Sequence, residues 1–178
     1  MENLKSYIVN EQSLMIWGRF GEYGHPQSIV HCNDQKFLVN QSALQIIEQS
    51  LEYNGLTLRA AKESAKVILK STSIYPIEIN PLKGWVWFSV YGFRHALNVW
   101  FALHAIRDYV PYENGKKTLV ELINGELLCM PVAYSAFDRR YGRASKYKTL
   151  KEARQGNGQY YTYNLKGIVA EQRMEYEF

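Results

Sequence analysis

The tightest constraint on the fold is one dipeptide, Asn124-Gly125, set between the apolar-rich runs KTLVELI and ELLCM. Asn-Gly tolerates the left-handed backbone that a two-residue hairpin turn requires. The flanking runs are therefore expected to fold back on each other as antiparallel strands. Pro131 ends the second run, since it has no amide to give to a ladder. A chain committed here to a hairpin needs a sheet and something to cover it.

The rest of the chain supplies both. Residues 6–9, 13–17, 28–32 and 36–39 are short runs rich in β-branched and aromatic side chains and read as strands. Gly18, Gly21 and Gly24 lie between the second and third. Glycines so spaced can cradle a phosphate, but no helix signature follows, and a hairpin loop is the better reading. At Gln41 the period changes. Ala43, Leu44, Ile46, Ile47 and Leu51 recur at helical spacing, with Ser42 as N-cap and Gly55 as the stop. A second helix is expected from about Leu56 or Thr57 to about Val67. The reading returns to strand from Ile74, with Ile77 and Ile79 alternating around Glu78, and again at residues 84–90. Residues 99–109 could be an amphipathic helix, but Val99, Trp100, Phe101 and Ile106 favour sheet.

After Pro131 the period is helical once more. Tyr134, Phe137, Tyr141 and Ala144 form an apolar stripe that should anchor this helix to the sheet. Arg139, Arg140, Arg143 and Lys146 are expected on the opposite arc, with a break or kink near Gly142. Gly156-Asn157-Gly158 reads as a linker into an aromatic tail. The expected fold is α+β: a mostly antiparallel sheet, a helix pair near 42–67 and a basic helix after residue 131. Residues 1–155 are read as one domain and 156–178 as linker and tail.

Charge is what separates function classes here. The 178 residues carry a net charge of only +4. Residues 139–154 alone hold seven bases (Arg139, Arg140, Arg143, Lys146, Lys148, Lys151 and Arg154) against Glu152, a local balance of +6. A second patch gathers Arg59, Lys62, Lys66 and Lys70 against Glu63. The remainder of the chain is net acidic. Glu152 can pair at i±4 with only one or two of the seven bases of 139–154. Like charges so crowded repel one another, and a polyanion relieves that repulsion by releasing condensed counterions.

Other classes find less support. At 47% hydrophobic and 21% charged residues the chain is not a disordered one. His25, His31, His95 and His104 form no metal-ligand spacing, and Cys32 and Cys129 belong to no CxxC pair or catalytic signature. No GxSxG elbow is present. Neither an enzyme, a cofactor nor a metal site is expected. The N-terminus shows no secretory signal, the longest apolar stretch is too short for a bilayer, and two distant thiols suit a reduced compartment. A soluble, cytoplasmic, nucleoid-associated protein is expected.

Several segments are similar to the ComK family of competence transcription factors. VNQSALQIIEQSLEYNGLTLRAAKES, residues 39–64, resembles the family's strand end, helix, glycine stop and basic stretch. IYPIEINP, residues 74–81, resembles its Pro-Pro-Ile-x-Val-x-Pro run, with Tyr75 in place of the first proline. Phe88 and Trp100 fall where a Phe-Pro-Thr motif and a later tryptophan are expected, though Ser89 replaces the proline. NGELLCMPVAYSAFDRRYGR resembles the family's Asn-Gly hairpin, its Leu-Pro pair (Met130-Pro131 in this chain) and its Tyr-Asn-Ser-Phe-like spacing at Tyr134 and Phe137.

The resemblance implies a transcriptional activator that binds paired A-tract and T-tract boxes in double-stranded AT-rich DNA, largely from the minor groove, as a homodimer or dimer of dimers. GQYYTYNL, residues 158–165, is placed like the family's adaptor-binding segment, which implies a proteolytic adaptor as a partner of the tail. The expected nucleic-acid contacts are Arg139, Arg140, Arg143, Lys146 and Lys148, with Arg59, Lys62, Lys66 and Lys70 as a second set. Trp85, Trp87 and Trp100 are expected in the core or on a dimer surface. Two alternatives use the same bases: binding of single strands or RNA with exposed aromatics, and a protein-interaction module whose basic helix docks on an acidic partner.

Overall fold

The structure is a computed structural model that describes residues 1–70, 73 and 75–155. The tail with its linker and adaptor-like segment lies outside the described residues, as does Ile74. The chain order is β1 (Glu2–Leu4), β2 (Ser13–Phe20), β3 (Pro26–Cys32), β4 (Lys36–Val39), α1 (Ala43–Tyr53), α2 (Leu58–Leu69), β5 (Ile77–Asn80), β6 (Trp85–Ser89), β7 (Val99–Ala102), β8 (Ile106–Tyr112), β9 (Lys117–Leu122), β10 (Leu127–Met130) and α3 (Tyr134–Arg154). Seven strands form one sheet in the order β1-β4-β3-β2-β7-β6-β5, and three form a second, β10-β9-β8. Among the described residues only the β1–β4 pair is parallel. The expected α+β architecture, with a mainly antiparallel body, is what forms.

Local chemistry explains the elements. Ser42 and Gln45 close a reciprocal capping box at the start of α1, and Gly55 leaves that helix at φ +74°. Thr57 Oγ1 accepts the Ala60 amide to start α2. Asn54 Oδ1 accepts from Asn80 Nδ2 at 2.9 Å, tying the end of α1 to the end of β5. The two helices carry the chain from β4 to β5, at the far edge of the large sheet.

Several details differ from the sequence reading. Residues 6–9 alternate, with Tyr7 and Val9 buried, yet form no strand. Their amides donate to side chains instead, Tyr7 N–H to Gln41 Oε1 and Val9 N–H to Ser50 Oγ. Residues 99–109 are extended as expected but split at Ala102. A 3₁₀ turn at Leu103–Ala105 sends β7 to the large sheet and β8 to the small one. The Asn-Gly hairpin closes with three residues rather than two. Gly125 N–H donates to Leu122 O and Leu122 N–H to Glu126 O. Gly125 alone takes positive φ there, at +85°, as in a type I turn with a glycine bulge. Finally, α3 runs unbroken through Gly142 for 21 residues. The cost of one helical glycine, about 1 kcal/mol, is small beside the aromatic packing on either side of it.

That packing forms the centre of the molecule. Phe137 is fully buried, edge-on to Phe88 and Phe101 at 5.7 Å, and 5.1 Å from Tyr109. Tyr141 packs on Tyr109 at 5.0 Å. Trp87 and Trp100 are core residues, whereas Trp85 is half-exposed beneath Lys83. At the far end of α3, Lys151 pairs with buried Glu78 of β5, so the alternation expected around Glu78 gives way to burial of the whole strand centre. No described helix is long and apolar enough to cross a membrane. Among the described residues no three His, Cys, Asp or Glu side chains gather as metal ligands would.

The two sheets are joined by Glu126, which accepts from His31 at 3.0 Å and from Lys36 at 2.6 Å. Burial holds the His31 imidazole below its ordinary 6.5, with Lys36 adding to the effect and Glu126 opposing it. Partial burial would raise the Glu126 carboxyl, but the bonds from Lys36 and His31 bring it below its usual range. For both groups the unfolded chain binds the proton first on acidification. Stability is therefore retained above pH 6.5 and is lost as pH falls through that value, and further through the carboxylate range. Melting temperature is expected to drop between about pH 7.5 and about pH 5.5, and His31→Gln to narrow that drop. An equal drop in the variant would remove His31 from the account.

Candidate nucleic-acid interface

The basic segments of α2 and α3 are distant in sequence and adjacent in space. Ala61 and Ala65 present small side chains on the buried face of α2, which lets neighbouring elements approach closely. The Ser64 hydroxyl lies 3.4 Å from the Tyr147 hydroxyl of α3. Tyr147 is buried at this contact, on the face of the unbroken α3 that packs toward α2.

A third element meets these helices, the β6–β7 connection over residues 91–98. Asn98 is buried and organises it, accepting the Tyr91 amide at 3.0 Å and donating to Gly92 O at 3.0 Å. Phe93 packs on Trp100 at 4.9 Å, and Tyr91 stacks on His95 at 4.8 Å. The loop leaves Arg94 and His95 exposed. Gly18 of β2 supports it from below, its N–H donating to Asn98 O at 2.8 Å.

The nominated cations divide into three groups. Arg139, Lys146, Lys66 and Lys70 are exposed, and Arg143 is half-buried. Others are held by the protein's own acids. Arg59 Nε is 3.1 Å from Glu63, and Lys148 sits 3.8 Å from Glu152. Both pairs are solvated and worth only a few tenths of a kcal/mol.

Lys62 and Arg140 converge on one pocket. Arg140 does not lie on an arc opposite the apolar stripe, as the sequence reading expected. It is on the packed side, and its Nη1 donates to Ser89 O at 3.0 Å and Tyr91 O at 3.5 Å. The register explains this, because position 140 lies only about 60° from Phe137 at 100° per residue. Charge reversal at Arg140 would disturb the β6 end as well as the surface. Burial, and then the neighbouring Arg139, draws its guanidinium below its ordinary value, although a guanidinium remains charged. Lys62 Nζ sits 4.4 Å from the Phe93 ring centroid. Burial lowers its ammonium, Arg94 lowers it further, and Glu48 opposes. Together with Tyr75, Ser89, Tyr91, Gly92 and Phe93, the two cations line a pocket of about 270 Å³.

Sequence reasoning missed Arg94, His95 and the loop that carries them. Their only sequence signal was a glycine and an Arg-His pair between two strands, which indicates a turn without saying what it meets. The Lys151–Glu78 pair was also out of reach, because its partners are far apart in the chain.

A family model described as ComK protein matches residues 4–156. No curated protein and no solved structure matches the chain.

The support under the loop is testable at Gly18. A β-carbon there would stand 2.7 Å from Ala96 O and 3.0 Å from Asn98 O, both backbone atoms. Gly18→Ala is expected to cost about 1–3 kcal/mol in a urea melt, because the loop must shift to admit the methyl group. An unchanged midpoint would mean that the loop does not rest on this glycine.

Proposed function

The chain belongs to the ComK family, which is one of competence-related transcription factors, and from that premise we propose that it activates transcription by gripping AT-rich duplex DNA. In this reading residues 1–155 are a single DNA-binding domain. It recognises A-tract and T-tract boxes largely from the minor groove, as a homodimer or dimer of dimers. A-tracts narrow the minor groove and deepen its negative potential, which favours inserted arginine and lysine. Readout of that kind depends on groove width and box spacing more than on base-edge hydrogen bonds.

The observation that carries the reading is the convergence of Lys62 and Arg140 on one pocket from two separate basic segments. Two half-buried cations lining one pocket are costly for the isolated protein and favourable against a polyanion. Arg139, Arg143, Lys146, Lys66 and Lys70 then extend contact to neighbouring phosphates, and Arg94 joins them from the loop.

A gel-shift series tests the reading directly, with A-tract boxes at varied spacing, GC-rich duplex and single strands as the three arms. AT-rich duplex is expected to bind tightest, with affinity falling steeply as salt rises. Arg139→Glu with Lys146→Glu reverses two exposed charges. The pair is expected to weaken binding at least about tenfold and to flatten the log–log salt slope by about 2. Equal affinity for GC-rich duplex would remove shape selectivity, and preference for single strands would favour base stacking over groove binding.

A further inference from the structure

The pocket lined by Lys62 and Arg140 differs in kind from the exposed cations around it. An exposed lysine meets a phosphate through water and salt, and its contribution fades as ionic strength rises. This pocket has aromatic walls. Tyr75, Tyr91 and Phe93 line it, and among the described residues no aspartate or glutamate does. A charge-assisted hydrogen bond formed there is less screened than one on the helix surface.

Its donors are also pre-positioned. Arg140 is held by Nη1 to two main-chain oxygens, so its rotamer is set before any ligand arrives. A guanidinium carries five N–H donors, and Nη1 makes both of those bonds. Lys62 is held over Phe93 by its cation–π contact while its ammonium keeps three donors. Arg94 adds positive potential from the loop and Arg139 from α3, whereas Glu48 is the acid that acts on Lys62. Positive charges that line one pocket are relieved by a compact anion placed in it. At about 270 Å³ the pocket is below the usual size for a drug-like ligand, but it has room for a tetrahedral oxyanion and part of a sugar.

We propose that this pocket is a socket for one backbone phosphate of the bound duplex, an anchor that sets the protein's register on DNA while the exposed cations supply screened attraction. The socket deepens the DNA-binding reading above and rests on it. A phosphate contact carries no base information, but a single fixed one determines which step of the groove the neighbouring side chains face.

The test is a methylphosphonate walk along an A-tract duplex, which neutralises one phosphate at a time. It uses wild type, Lys62→Met, which keeps the stem that covers Phe93, and Lys66→Met as an exposed control. In wild type one position per bound site is expected to cost about tenfold in affinity, well beyond its neighbours. Lys62→Met should bind more weakly overall and lose that sensitivity, while Lys66→Met should retain it. Arg140→Lys, which keeps the charge but loses the guanidinium fork, should weaken the same position in part. Melting curves confirm that each variant is folded. A Lys62→Met protein with the wild-type pattern overturns the socket and leaves DNA binding intact. Failure of wild type to retain duplex at all removes both readings. A parallel arm compares melting in inorganic phosphate and in chloride at matched ionic strength. Saturable, Lys62-dependent stabilisation without any sensitive duplex position would assign the pocket to a free anion and overturn the backbone assignment.

Discussion

Phe137 and Tyr141 hold the basic helix to the sheet by inserting between Phe88, Phe101 and Tyr109, and nearly everything at the interface depends on that seating. Aromatic rings at such separations bury large areas and constrain one another's angles, so the helix has little freedom to roll. Tyr109 adds a polar tie, its hydroxyl donating to Asp138 at 2.8 Å. The Lys151–Glu78 pair fixes the far end, where losing either partner would strand a buried charge. With both ends held, Arg140 is directed under the helix toward the end of β6, and Arg139 and Lys146 are left in solvent. A helix rotated by one residue would exchange those roles.

Much of this was legible in the sequence, and the parts that were not share a cause. The capping serine at position 42, the glycine stop at 55, the strand at 36–39 and the final hairpin depend on neighbours within a few residues, and local chemistry decides them. Residues 6–9 failed because alternation records burial, not pairing. Gln41 and Ser50 took the amides that a ladder would have used. Gly142 failed as a helix breaker because its propensity cost is small beside tertiary packing on both sides. Asn124-Gly125 gave a hairpin with a longer connection, since a glycine bulge satisfies the same amides with one positive φ.

The candidate site was half legible for the same reason. Clustering of bases after the last hairpin is a linear property and could be counted. Which of them are compensated is a three-dimensional one. Glu78 lies far from Lys151 in sequence, and the carbonyls of Ser89 and Tyr91 give no sequence signal as acceptors for Arg140. What emerges is a graded set of cations: some neutralised by the protein, some screened at the surface, and two held in a partly dehydrated pocket between α2, α3 and the loop at 91–98. Such grading suits a protein that must find DNA by long-range attraction and then fix its position by a few short contacts.

If the aromatic seating of α3 makes one DNA-binding surface of three elements distant in sequence, all three respond together to duplex. Backbone amide chemical-shift mapping on titration with an A-tract duplex tests it most directly. Coincident perturbation, with one common binding curve, is expected in α2, in α3 and in the loop at 91–98, while the small sheet stays silent. Perturbation confined to the strands of the small sheet, or to a single basic helix with the loop unmoved, would contradict it.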